Sequence, residues 1–102
     1  MFHNKLVRDL IPEIIESRGE IAVTRILDSE EYTLELKKKL LEEVNEFLES
    51  ENDSEELADI LEVVYALGEK GGISKDGLEK IRQEKATKRG GFKNKIYLIE
   101  TK

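Results

Sequence analysis

Apolar residues recur at helical spacing along most of the chain and alternate with polar ones in two short stretches. D-L-I-P-E-I-I-E-S-R, from Asp9 to Arg18, predicts a short helix. Asp9 can cap it, Pro12 sits in the tolerated first turn, and Gly19 ends it. Ile21 to Leu27 is β-branched and bounded by turn residues, which predicts a strand. Asp28 or Ser29 then caps a long helix running to about Ser50. The polar turn S-E-N-D-S leads to a third helix, from about Ser54 to Lys70, stopped by Gly71 and Gly72. Ser74 starts a fourth, to about Lys88, broken by Gly90-Gly91. Lys95 to Thr101 (K-I-Y-L-I-E-T) alternates like a second strand. The expected fold is mainly α: a single domain over residues 1–102 with an antiparallel helical hairpin at its core and a small two-stranded β-ribbon. Two strands alone are marginal, so the ribbon must pack on the helices.

The second and third helices are amphipathic in matching ways. Relative to Leu40, the residues Leu36, Leu41, Val44, Phe47 and Leu48 fall in an arc from roughly −40° to +100°. Glu43 lies near roughly −60°, Glu46 near −120° and Glu42 near −160°, toward solvent. Relative to Ile60, the residues Leu57, Leu61, Val63, Val64 and Leu67 span roughly −60° to +100°, with Glu56 near −40° and Asp59 near −100°. The short turn makes the two helices antiparallel neighbours. Flanks offset in the same sense then meet on one side of the hairpin. Glu46 and Glu56 are each five residues from Glu51, and Glu43 and Asp59 are each eight from it. With the turn centred near Glu51, Glu46 faces Glu56 and Glu43 faces Asp59.

Four carboxylates on one patch repel unless some are protonated or a cation joins them. Oxygen-only ligands select hard ions such as Mg²⁺ or Mn²⁺, and Mg²⁺ favours phosphate oxygens as further ligands. Bland alternatives stand beside this. Glu42, Glu43 and Glu46 form an ordinary solvated face, with Lys39 pairing Glu43 one turn away. Glu56 is the partner of Asp53 in a capping box. Asp59 merely favours the positive end of its helix. Glu62 reads as solvated.

Composition narrows the chemistry. The 102 residues contain no cysteine and one histidine, His3, which reads as solvated. Disulfides, thiolate zinc sites and cysteine nucleophiles are excluded, and imidazole-rich sites with them. Any catalysis rests on carboxylates, lysines, arginines, hydroxyls or a metal. The net charge of −6 is uneven. From Asp28 to Glu62 fourteen acids stand against three lysines, whereas from Lys80 to Lys95 seven basic residues stand against Glu84. The acidic middle repels a long nucleic acid. No stretch is apolar enough to span a membrane, and the N-terminus lacks the form of a signal peptide, so a cytoplasmic protein is expected.

E-E-V-N-E, from Glu42 to Glu46, followed by E-L-A-D, from Glu56 to Asp59, resembles the E-E-x-x-E…E-x-x-D signature of the MazG-like, all-α nucleoside triphosphate pyrophosphohydrolases. That superfamily also holds phosphoribosyl-ATP pyrophosphohydrolase and the dimeric dUTPases. N-K-L-V-R-D-L-I-P and K-R-G-G-F resemble its small single-domain branch, often labelled phosphoribosyl-ATP pyrophosphohydrolase-like. The resemblance implies an Mg²⁺-dependent enzyme that cleaves a nucleotide between its α- and β-phosphates, giving a monophosphate and pyrophosphate. It implies Glu43, Glu46, Glu56 and Asp59 as metal ligands, with Glu42 a nearby acid that orients water. The chain departs from many members in the nine residues between Glu46 and Glu56, which leave less protein for recognising a base. The ribbon is not part of the minimal helical core.

Lys5 and Arg8 share a face if their segment is helical, and Lys85, Lys88 and Arg89 have similar spacing on the last helix. These are the candidate phosphate contacts, Arg8 and Arg89 foremost because a guanidinium offers a bidentate fork. Gly90-Gly91 could bring backbone N–H groups to a phosphate. The alternative is solvated charges and a helix stop. Leu34, Leu41, Leu61 and Tyr65 widen the apolar stripes beyond what one partner helix covers. A homodimer, or a higher homo-oligomer, would then complete a four-helix bundle. Expected functions are house-cleaning hydrolysis of nucleoside triphosphates, phosphoribosyl-ATP hydrolysis in histidine synthesis, or a non-catalytic helical interaction module.

Overall fold

Four helices form along the chain: α1 (Ile11–Ser17), α2 (Ser29–Glu49), α3 (Ser54–Lys70) and α4 (Lys75–Arg89). The structure, a computed structural model, describes all of residues 1–102. The start of α2 is fixed by a full capping box. Asp28 accepts from the Glu31 N–H at 2.9 Å, and the Glu31 carboxylate accepts from the Asp28 N–H. Arg25 adds a bidentate pair to the same Glu31 carboxylate at 2.7 and 3.1 Å. That pairing, together with the Asp28 N–H, holds the Glu31 carboxyl well below its usual range, at about 2.

Helices α2 and α3 are joined by a turn that uses its polar residues locally. Ser50 Oγ donates to the Phe47 carbonyl at 2.7 Å, and Asn52 takes a left-handed conformation, φ +62°. Asp53 caps α3 by accepting from the Glu55 N–H at 2.9 Å. No capping box forms with Glu56, so that carboxylate is left for other partners. At the far end Lys70 Nζ donates to Ser29 Oγ at 2.6 Å, closing the antiparallel pair over its whole length.

The α3–α4 corner is keyed by Ile73. Its N–H donates to the Gly68 carbonyl at 2.8 Å. A Cβ at Gly77 would stand 3.0 Å from Ile73 Cγ1, and one at Gly68 would stand 3.2 Å from Ile73 Cγ2, so both positions stay small. Helix α4 packs on α3 alone, and beyond Leu78 only Ala86 is even half-buried.

Two expectations fail. No strand forms: Ile21–Leu27 and Lys95–Thr101 have no ladder, and Ile21, Val23, Ile26, Ile96, Tyr97 and Ile99 stand almost fully in solvent. β-branched residues favour strands only when a neighbour supplies the ladder and a packed face; in one chain neither exists. Asp9 also does not cap α1. The helix starts at Ile11 after Leu10, without a side-chain cap, and Pro12 occupies its first turn.

The chain is extended, at 61 × 33 × 23 Å with a radius of gyration of 17.8 Å, against about 13 Å for a compact domain of this length. Only Leu36 (3% exposed) and Val63 (8%) are buried apolar residues. Leu34, Leu41 and Leu48, each seven residues from the next, form an uncovered stripe along α2. No helix is long and apolar enough to cross a membrane. Leu36→Ala should destabilise the chain by about 2–4 kcal/mol, read as a lower urea midpoint.

Candidate metal site on the helical hairpin

The hairpin seam changes character along its length. Away from the turn it is apolar, with Leu36 on α2 and Val63 on α3. Seven residues nearer the turn on each helix, the same face carries Glu43 and Glu56. Seven residues is almost two full helical turns, so each glutamate continues its apolar row. Glu43 is thereby drawn into the seam and is only 7% exposed. Glu56 is half-buried across from it.

Carboxylate oxygens of Glu43, Glu46 and Glu56 all lie within 4.8 Å of one another. Glu43 Oε2 and Glu56 Oε2 are buried and accept no hydrogen bond. Burial is the largest influence on both groups and raises both pKa values, and the nearby Glu46 charge pushes in the same direction. Asp59 adds to the repulsion felt by each. Its own Oδ1 accepts from Arg8 Nη2 at 2.7 Å.

Cations rim the patch. Lys39 Nζ lies 3.5 Å from Glu43 Oε1 and 3.3 Å from Glu42 Oε1, and Lys5 Nζ lies 3.6 Å from Glu42 Oε1. The one-turn pairing of Lys39 with Glu43 is thus real, but it serves Oε1 and leaves Oε2 alone. Lys39 is the contributor that residue pattern marked only as a bland alternative; its signal was the spacing to Glu43. Five carboxylates (Glu42, Glu43, Glu46, Glu56 and Asp59) meet three cations (Lys5, Arg8 and Lys39). Acids thus outnumber bases around the buried oxygens, and Asp53 adds to the repulsion on Glu56.

The donor set fits a divalent cation. Opposed oxygens on Mg²⁺ lie about 4.2 Å apart, and on Ca²⁺ about 4.6–5.2 Å. Of three ligands on one ion at most one pair is opposed and the others lie about 3 Å apart, so oxygens within 4.8 Å of one another come onto one ion by side-chain adjustment. The two unpartnered buried oxygens would gain the partner they lack.

The basic candidates divide. The segment holding Lys5 and Arg8 is not helical, so the shared-face expectation fails, yet both side chains reach the acidic patch. Lys85, Lys88 and Arg89 are exposed on α4, and none pairs with an acid. The Gly90 N–H donates to the Ala86 carbonyl at 2.8 Å and is not free for a phosphate. Two surface concavities lie elsewhere: one on α4, lined by Lys80, Gln83, Glu84, Thr87 and Lys88, and one beside Ser29 and Lys70. Both are open, and neither includes a residue of the carboxylate cluster.

No family model matches the chain, and neither a curated protein nor a solved structure matches it.

Raised carboxylate pKa values give stability that is present at low pH and lost as pH rises through the raised folded values. In cation-free buffer the unfolding temperature should therefore fall as pH rises above the ordinary glutamate value of 4.5. The Glu31–Arg25 pair acts in the opposite sense, but only below that value. Glu43→Gln should make this slope shallower and raise neutral-pH stability by about 1 kcal/mol, a few degrees in a thermal melt.

Proposed function

We propose that the chain is a divalent-cation-dependent nucleoside triphosphate pyrophosphohydrolase. The observation that carries this reading is the convergence of Glu43, Glu46 and Glu56 with two buried oxygens that nothing in the chain satisfies. The substrate class comes from the resemblance of E-E-V-N-E and E-L-A-D to the MazG-like signature. Glu43, Glu46, Glu56 and Asp59 hold Mg²⁺, or Mn²⁺ in its place. When bound, the ion neutralises phosphate charge and lowers the pKa of water.

The chain's own residues supply the rest. Glu42, paired with Lys39, stands next to the ligands and would orient the attacking water. Glu43, pressed into the seam, keeps its carboxylate in one orientation. Lys5 and Arg8 offset charge on the departing pyrophosphate. Lys85, Lys88 and Arg89 do the same if a second copy brings its α4 to the patch.

A second copy is part of the proposal. The chain exposes 9516 Å² of surface. A compact monomer of 11.7 kDa exposes about 5,900 Å². The excess includes the Leu34–Leu41–Leu48 stripe, and heptad-spaced leucines suit a helical partner. A homodimer pairs two such hairpins into a four-helix bundle. Light scattering should give a mass of twice 11.7 kDa, and Leu41→Glu should reduce it to that of one chain.

The decisive assay is pyrophosphate release from canonical, deoxy and modified nucleoside triphosphates and from phosphoribosyl-ATP, with and without Mg²⁺. Release should require the cation, and Glu43→Ala should lower turnover at least about 100-fold while helical content persists. Full turnover by that variant would overturn Glu43 as a ligand, whereas no release from any nucleotide would sink the enzyme reading. The latter outcome would favour a non-catalytic interaction module.

A further inference from the structure

The N-terminal arm, residues 1–10, precedes α1 and has no regular structure. Little apolar packing holds it: Phe2 and Leu10 are exposed, Val7 nearly so, and only Leu6 is half-buried. What fastens it to the hairpin is charge. Arg8 reaches Asp59 at 2.7 Å, fifty-one residues away, and Lys5 reaches Glu42 at 3.6 Å. Both contacts fall on the rim of the cluster that holds the two unpartnered oxygens. The buried, unpartnered Glu43 Oε2 shows that the arm does not complete the cluster; it only offsets part of its charge.

We propose that the arm is a displaceable counter-ion: a divalent cation at the carboxylates drives Arg8 and Lys5 off the hairpin, and the freed pair then receives a polyphosphate anion. The inference rests on the metal-site reading above and adds an order to it, cation first and anion second. The physical basis is short. A dication among these carboxylates lies well within a screening length of the Arg8 guanidinium, so the two repel. They also compete for Asp59, whose oxygen Arg8 now occupies. Both ion pairs are half-exposed, so displacement requires no unfolding. An arginine set loose beside a bound dication faces whatever anion that dication attracts, and its planar fork matches a phosphate.

Coupling of this kind is reciprocal: an arm that weakens cation binding is itself loosened by the cation to the same degree. This gives a signature that a merely structural arm would lack. Arg8→Gln should tighten Mg²⁺ binding by calorimetry about fivefold, the low end for coupled sites because the pair is exposed. The same variant should weaken binding of inorganic pyrophosphate in saturating Mg²⁺ about tenfold, through loss of its fork. Arg8→Lys should restore most of the first effect and less of the second. Lys93→Gln, a charge far along the chain, should change neither. In the wild-type chain, ¹⁵N relaxation should show Asn4 to Asp9 losing order as Mg²⁺ is added, a measurement independent of any substitution.

The outcomes separate cleanly. Weaker or unchanged Mg²⁺ binding in Arg8→Gln, or an arm that stays ordered in Mg²⁺, overturns the displaceable arm while leaving the metal site standing. Absence of Mg²⁺ binding in the wild type, with Glu43→Gln behaving identically, overturns both.

Discussion

The organisation of this chain turns on a pair of carboxylates placed where a hairpin would ordinarily put leucine. Glu43 and Glu56 continue the rows begun by Leu36 and Val63, so helix packing itself pulls them together. Burial, with repulsion from Glu46 and Asp59, then acts against the packing, which is why both have raised pKa values. The hairpin tolerates this because its two ends are fixed independently. The Ser50–Asp53 turn holds one end, and Lys70 with Ser29 holds the other. The turn-side part of the seam is thus a place of repulsion inside a closed frame.

Most of this frame could be read from residue order because it is local. The polar turn, the Asp28 cap and the glycines after Lys70 set the helix limits, and the limits set the register. Once Glu51 is placed near the turn, Glu46 and Glu56 are neighbours by counting alone. Burial of Glu43 was harder to see. A wheel puts it on the flank of its stripe, and only the approach of α3 turns that flank into the seam. The two strands illustrate the opposite case. Ile21–Leu27 and Lys95–Thr101 have strong local preference, but a ladder is a non-local object. With no second strand alongside and no layer beneath, preference alone leaves both segments in solvent. Asp9 failed as a cap for a related reason: Pro12 confines the first turn of α1, and the helix begins two residues after the aspartate.

Charge distribution explains which basic residues reach the patch. Lys5 and Arg8 belong to an arm with little packing of its own, free to settle where the field is most negative. Lys85, Lys88 and Arg89 ride on a helix whose direction is fixed at the Ile73 corner, where Gly68 and Gly77 admit that side chain closely. Helix α4 packs on α3 and not on α2, so its basic residues cannot follow the field within one chain.

That geometry bears on how a substrate would be chosen. The carboxylates sit on a hairpin flank, with the N-terminal arm against them through Lys5 and Arg8. The nine residues between Glu46 and Glu56 are spent on closing the turn, with Ser50, Asn52 and Asp53 committed to local hydrogen bonds or backbone geometry. A base would have to be recognised by residues outside the hairpin. The surfaces still uncovered are the α2 leucine stripe, the exposed face of α4 and the two β-branched segments. The leucine stripe lies roughly 120–180° round α2 from Glu43 and Glu46, so a partner seated on it would stand on the face opposite the carboxylates.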